Sequence, residues 1–302
     1  MPHVKPREER PTAGLALMVS AVFCFTMIDT SAKWLAMSGL APLQIVFARY
    51  LGHFVAAVAV VVPRQGAGAF VSASPRIQAL RSVFLLLSTV FNFLALSFLP
   101  ITVTTTIMFA GPIVVSLLSM PILHEPVGAR RLGAVLAGFL GVLIVIRPWG
   151  AQFQPAMLLS VAALGCASLY FVLTRYLAGT ESNATSQLWA SGLASLVMAP
   201  LALRIWEWPD SAVGYGVLIC IGLFGAAGHA IATLAHRFAD ASALAPVFYA
   251  QILFATLAGL IVFDTAPTAW TLAGGAVIVA SGIYIWRRER ERARAASYPR
   301  PI

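Results

Sequence analysis

Residues 14–37 read GLALMVSAVFCFTMIDTSAKWLAM, and the first fifteen of these carry no charge. A helix of about 20 mainly apolar residues crosses a ~30 Å hydrocarbon layer, so this stretch is long enough to span one. It is too long and too continuously apolar for a barrel strand, which alternates over about ten residues between turns. It also does not read as a cleaved signal, because it is long, holds Asp29 and Lys33 and lacks a small-x-small cleavage pattern. Nine further runs follow at 42–62, 77–99, 101–123, 132–146, 156–177, 184–203, 212–235, 241–263 and 269–286. The fifth run is short, and its helix is expected to extend to either side. With 60% hydrophobic and 10% charged residues, against roughly 25% charged in soluble domains, a water-soluble globule is excluded. The fold class is an all-α membrane protein of ten transmembrane helices.

The net charge of +9 does not point to nucleic acid, because the cations sort by side. An even number of crossings puts both termini in one compartment. Sixteen of the twenty Lys and Arg fall on that side, Arg64, Arg76, Arg81, Arg130, Arg131, Arg175 and Arg237 among them. The opposite loops hold Arg147 and Arg204, while Lys33 and Arg49 lie inside helices. The positive-inside rule therefore places both termini in the cytoplasm. The basic tail, in which Arg287 to Arg294 alternate with Glu289 and Glu291, reads as a topology anchor at lipid headgroups. Cys24, Cys166 and Cys220 all fall within helices and lack loop partners, so neither a disulfide framework nor a metal site is expected.

A shift of about 140 residues brings the second half onto the first. Cys24, Lys33, Leu35 and Ala36 fall on Cys166, Arg175, Leu177 and Ala178 at a shift of 142. Phe109 and Glu125 fall on Phe248 and Asp264 at 139, and Gly133 and Gly141 on Gly274 and Gly282 at 141. The expected organisation is a cytoplasmic tail at 1–11, five-helix repeats at 12–147 and 155–287, and a basic cytoplasmic tail at 288–302. An odd number of crossings per repeat inverts the second copy, the architecture with which transporters expose a site alternately to either side.

The residues resemble the drug/metabolite transporter superfamily, specifically its EamA-type ten-helix members. The likeness rests on Phe47-Ala48-Arg49-Tyr50, the turn Leu99-Pro100-Ile101-Thr102, Ala110-Gly111-Pro112 and the acidic turn Leu123-His124-Glu125-Pro126, with Gly133, Gly141 and Arg147 closing the first unit. Ala245-Pro246, Phe248-Tyr249, Phe263-Asp264, Trp270, Gly274 and Gly282 echo it in the second. The resemblance implies a basket in which helices one to four and six to nine surround a central cavity, with five and ten to the side. It implies a multi-pass protein of the bacterial inner membrane that moves a small metabolite and needs no cofactor. YddG-type amino-acid exporters are the nearest functional analogy. Carriers of S-adenosylmethionine or nucleotide sugars are the alternative. A fused pair of halves supplies its own symmetry, so a monomer is expected.

Ionisable residues inside a membrane cost ~2.5–3.5 kcal/mol each on insertion scales and are candidates for function. Asp29 and Lys33 stand four apart, acid first, and are expected to share a helix face and pair; Arg49 and His53 stack in the same way on the next helix. The cluster either clamps helices one and two or lines the substrate path, and a clamp and a site can coincide. With an amino acid as cargo, Arg49 or Lys33 takes the carboxylate and Asp29 the ammonium. Asn92 and His229 are polar groups in apolar runs and are expected to face protein or cavity. Tyr170, Phe109, Phe248 and Tyr249 offer apolar walls, two of them with a polar tip. The threonines 102, 104, 105 and 106 are expected to bond carbonyls of their own helix. Pro112 and Pro246 interrupt helices four and nine at matching depths and are candidate gating hinges. Gly133, Ala137 and Gly141, with Gly274 and Gly282, leave smooth faces for close helix approach.

A membrane enzyme finds little support. His236 and Asp240 stand at a cytoplasmic helix end, but their spacing does not match the acyltransferase pattern, and no HExxH, GxSxG or P-loop is present.

Overall fold

The computed structural model describes residues 11–123, 129–147, 149–150, 153–177, 180–235, 238 and 244–297. Among these the chain is all helix and turn, without a strand. The helices are α1 (Pro11–Met37), α2 (Pro42–Gln65), α3 (Pro75–Leu96), α4 (Ile101–Met108), α5 (Gly111–Leu123), α6 (Ala129–Ile146), α7 (Met157–Tyr176), α8 (Asn183–Arg204), α9 (Ala212–Ala235), α10 (Gln251–Phe263) and α11 (Ala269–Ser297). Six of them, α1, α2, α3, α7, α8 and α9, are each long and apolar enough to cross a membrane. The fourth crossing is α4 followed by α5. The ninth is the 3₁₀ turn Ala245–Ala250 followed by α10.

Local chemistry sets the ends. Pro42 and Pro75 occupy first-turn positions of α2 and α3, where a missing N–H costs nothing. The Ser182 hydroxyl caps α8 by accepting from the Thr185 N–H at 3.0 Å. Asp264 ends α10 in the left-handed region, at φ 50°. The sixth to the eighth crossing begin and end close to where the apolar runs predict, and the ninth ends at Phe263 as predicted, its expected start at 241 lying outside the described residues. The fifth helix begins at Ala129, earlier than its apolar run. The last helix runs on to Ser297, so the basic tail is largely a continuation of α11 beyond the bilayer. The acidic turn at Glu125 and the pair His236 and Asp240 lie outside the described residues.

Packing follows the inverted repeat. α2 packs on α8, α6 on α11 and α4 on α10, each pair being one crossing against its own counterpart. α1 packs on α9, and α3 on α7, the same contact made twice with the halves exchanged. Two helix contacts, that of α2 with α9 and that of α6 with α11, depend on glycine. A Cβ at Gly222 of α9 would stand 2.7 Å from the Gly52 Cα of α2, and one at Gly274 of α11 would stand 2.6 Å from the Gly141 carbonyl oxygen of α6. Gly133, also expected on a packing face, has nothing within 4 Å of such a Cβ, and Gly282 meets the Tyr249 hydroxyl instead.

Two large apolar clusters result. One joins the outer halves of α1, α2, α3, α8 and α9 through Ile28, Leu35, Phe47, Phe93, Met198 and Leu218. The other joins α4 to α7 and α11 to the side of the first.

The glycine crossing fixes a first expected outcome. Gly222→Ala forces backbone against backbone and lowers the stability of the purified protein by about 1–3 kcal/mol, while Gly133→Ala stays within about 1 kcal/mol of the parent. Thermal unfolding in detergent measures both, and equal midpoints for the two variants would contradict the crossing.

Candidate functional site

Near mid-membrane, inward of the first apolar cluster, α1, α2, α3 and α9 bring polar side chains together. Asp29 of α1 accepts a hydrogen bond from Asn92 Nδ2 of α3 at 3.0 Å. Arg49 of α2 is buried and donates through Nη1 to the Thr89 hydroxyl of α3 at 2.9 Å. The same hydroxyl lies 2.7 Å from the Tyr50 hydroxyl. The Arg49 guanidinium carbon stands 4.7 Å from the Tyr50 ring and 5.8 Å from the Phe93 ring. Its Nε is buried without any hydrogen-bond partner. Nε and Nη2 form the edge with which a guanidinium grips a carboxylate side-on, and that edge is unengaged. Asp29 and Arg49 are each held by a different neutral partner on α3.

One turn inward, His53 stacks on His229 of α9 with ring centroids 5.4 Å apart and planes 16° from parallel. His229 also meets the edge of Phe25 at 5.2 Å. The Gly52–Gly222 crossing makes this stack possible. The His53 imidazole lies against Gly225, where an added Cβ would be in van der Waals contact at 3.7 Å from Nδ1.

The expected pairing of Asp29 with Lys33 does not form. Lys33 Nζ donates to the carbonyls of Leu96 at 3.0 Å and Leu99 at 2.8 Å, at the outer end of α3, and faces the Phe263 ring at 5.4 Å. Its long stem reaches orphan carbonyls that a helix end leaves open. Lys33 is thus a helix clamp, apart from the central group. Arg49 and His53 do share a face, but each engages a different helix.

Tyr170 also stands apart, its hydroxyl accepting from Arg81 Nη2 at 3.0 Å near the inner end. Tyr249 lies in the lateral apolar cluster, edge-on to Phe109 at 5.4 Å, with its hydroxyl unbonded. Pro112 is the second residue of α5, just after the break at Phe109 and Ala110, and Pro246 lies in the 3₁₀ turn that opens the ninth crossing. Both prolines therefore sit at interruptions of the regular helix. Of the threonine run, Thr104 and Thr106 bond the carbonyls of Ile101 and Thr102 as expected, whereas the Thr102 and Thr105 hydroxyls are buried without partners.

Sequence reasoning missed Thr89 and Tyr50, which hold Arg49, and it counted Arg81 among the cytoplasmic-side cations without seeing that the residue is buried, only 4% exposed. Arg81 stands well inside α3, five residues beyond Arg76, and that depth was the available signal. A pocket of about 370 Å³ at the outer loops is lined by Pro100, Arg147, Gln154 and Trp270, and none of the central group reaches it.

A family model described as the EamA-like transporter family matches residues 12–147 and again 154–287. A riboflavin transporter of Brucella anthropi is 26% identical over 92% of this chain and 100% of its own length. An S-adenosylmethionine uptake transporter of Rickettsia prowazekii is 23% identical over 92% of this chain and 94% of its own. A solved crystal structure at 18% identity covers 89% of this chain and 98% of its own with a TM-score of 0.58, which bears on the fold alone.

Lys33→Met leaves the Leu96 and Leu99 carbonyls without their charged donor and is expected to cost about 2 kcal/mol or more of stability. An unchanged unfolding midpoint would remove Lys33 from the clamp.

Proposed function

This chain belongs to the EamA-like transporter family and is a multi-pass transporter of the bacterial inner membrane rather than an enzyme, and we propose that its cargo is a zwitterion bearing an amino-acid head group. The observation that carries the reading is the unengaged Arg49 edge, with a buried Nε that lacks an acceptor, beside a carboxylate held on the neighbouring helix. A buried donor left unpaired is costly, and a substrate carboxylate would satisfy it while Asp29 receives the ammonium. Both signs are needed because neither group neutralises the other directly. Asn92 and Thr89 act in this reading as positioning residues, fixing Asp29 and Arg49 respectively.

Amino acids and S-adenosylmethionine share that head group. Export of amino acids is the narrower form of the proposal, and S-adenosylmethionine is supported by the relatives that carry its name. The stacked His53 and His229 rings, with Phe25 beside them, add a flat surface suited to a ring-bearing cargo. They favour, as a second reading, a ring-bearing metabolite such as the one named for the Brucella anthropi relative. Pro112 and Pro246, at the helix interruptions of inverted crossings, are proposed as the points at which the two halves bend.

Counterflow in proteoliposomes loaded with labelled amino acids, S-adenosylmethionine or riboflavin separates these readings. A head-group substrate is expected to accumulate. Arg49→Ala and Asp29→Asn should bring that flux to background while the protein stays folded and monodisperse, and Arg49→Lys should keep a fraction of it. Accumulation of riboflavin alone, or flux undiminished by Arg49→Ala, overturns the zwitterion reading.

A further inference from the structure

At the cytoplasmic end, α3 of the first half meets α7 and α8 of the second along a polar seam that substrate binding does not use. Arg81 is its centre. Nε donates to the Thr174 hydroxyl at 2.7 Å, Nη2 to the Tyr170 hydroxyl at 3.0 Å, and Nη1 to the Ser186 carbonyl and to Gln78 Oε1, both at 3.4 Å. The guanidinium carbon also stands 4.7 Å from the Tyr170 ring. Beside it, Gln78 Nε2 donates to the Ser186 hydroxyl at 3.1 Å. The Glu181 carboxylate, between α7 and α8, accepts from the Ser72 hydroxyl and from the Ser74 N–H before α3. Apart from the bond between Arg81 and Gln78, every one of these joins one half to the other. The buried guanidinium itself rests on neutral acceptors alone.

The inverted repeat supplies the matching joint at the outer face. Aligning the helix starts Pro75 and Ala212, a shift of 137, sets Leu218 opposite Arg81. The shift of 142 sets Ile28, Ala32 and Gln44 opposite Tyr170, Thr174 and Ser186. Ile28, Ala32 and Leu218 all belong to the outer apolar cluster. One joint is therefore bolted by a buried guanidinium and its hydrogen bonds, while its symmetry mate is sealed mainly by apolar packing, with Gln44 exchanging two hydrogen bonds with the Glu207 backbone.

We propose that Arg81 is the bolt of the cytoplasmic gate: its bonds to α7 and α8 hold the inner end shut in this conformation and break when the carrier opens inward. The proposal rests on the transporter reading but not on the choice of cargo. Neutral acceptors suit a bolt that must release. Water replaces them one for one as the seam opens, whereas a buried ion pair would cost far more to part.

Distances across each face test this without any substrate. In a background with Cys24, Cys166 and Cys220 replaced, spin labels at Ala73→Cys and Asn183→Cys span the inner seam, and labels at Ser38→Cys and Asp210→Cys span the outer one. All four positions are exposed. In lipid nanodiscs the parent is expected to show a dominant short inner distance. Arg81→Ala should raise the long-distance population by about tenfold without broadening the outer pair. Tyr170→Phe and Thr174→Val, which each delete one bond to Arg81 and no charge, the latter also losing the Thr174 bond to the Tyr170 carbonyl within α7, should move it the same way by less. An unchanged inner distance in Arg81→Ala overturns the proposal, as does equal broadening of both pairs, which signals general loosening. If Arg81→Ala does not fold, the two milder variants decide, and no shift in either overturns it. A released bolt in a protein that carries no head-group substrate would sink the cargo reading alone.

Discussion

Hydrocarbon accepts no hydrogen bonds, so a charged side chain that enters the bilayer must find its partners on another helix. Three buried cations obey this in three ways. Lys33 reaches the last carbonyls of α3, Arg49 reaches Thr89 of α3, and Arg81 stands on α3 and reaches out to α7 and α8. Asp29 joins the same helix through Asn92. One helix thus gathers the polar contacts of its neighbours from the outer face to the inner one. α9, its counterpart in the inverted repeat, contributes His229 and a row of glycines instead.

That division has a packing logic. Where α9 presents Gly222 and Gly225, α2 approaches until backbones touch, and the approach delivers His53 onto His229. Where α3 presents polar side chains, the helices stand on hydrogen bonds. The crossing of α6 with α11 repeats the glycine solution through Gly141 and Gly274, but its surroundings are apolar and no charge is delivered there. Close approach is common to both contacts; chemistry is confined to one.

The ten crossings were legible because span length and apolarity are properties of single segments, and the fold follows from counting them. The site was legible only in part, because partners are a property of neighbours. Spacing of four residues puts Asp29 and Lys33 on one face, yet the long Lys33 stem carries its ammonium to two open carbonyls at the end of the neighbouring helix, Leu96 and Leu99, while Asp29 turns to Asn92. Tyr249 and Tyr170 looked alike in sequence. One lies in an apolar cluster and the other against a guanidinium, and nothing in their own segments distinguishes them. The burial of Arg81 was not legible from charge alone because the positive-inside rule weighs the side of the membrane on which a cation lies without weighing its depth.

The two halves share a scaffold while their seams differ, and this bears on the cost of motion. Opening an apolar seam exposes surface at roughly 25 cal/mol per Å², with nothing returned. Opening the Arg81 seam trades each protein hydrogen bond for one to water, at a net ~0.5–1.5 kcal/mol, and rehydrates a buried charge in the process. Two structurally equivalent rearrangements are therefore unequal in free energy. In the proposed gate the apolar cluster around Leu35, Phe47 and Leu218, with the Gln44 bonds to the Glu207 backbone, keeps the outer end closed while the Arg81 seam releases. A duplicated chain can exchange shapes because its halves are alike. In the proposed gate its two ends differ because Arg81 and Leu218 do.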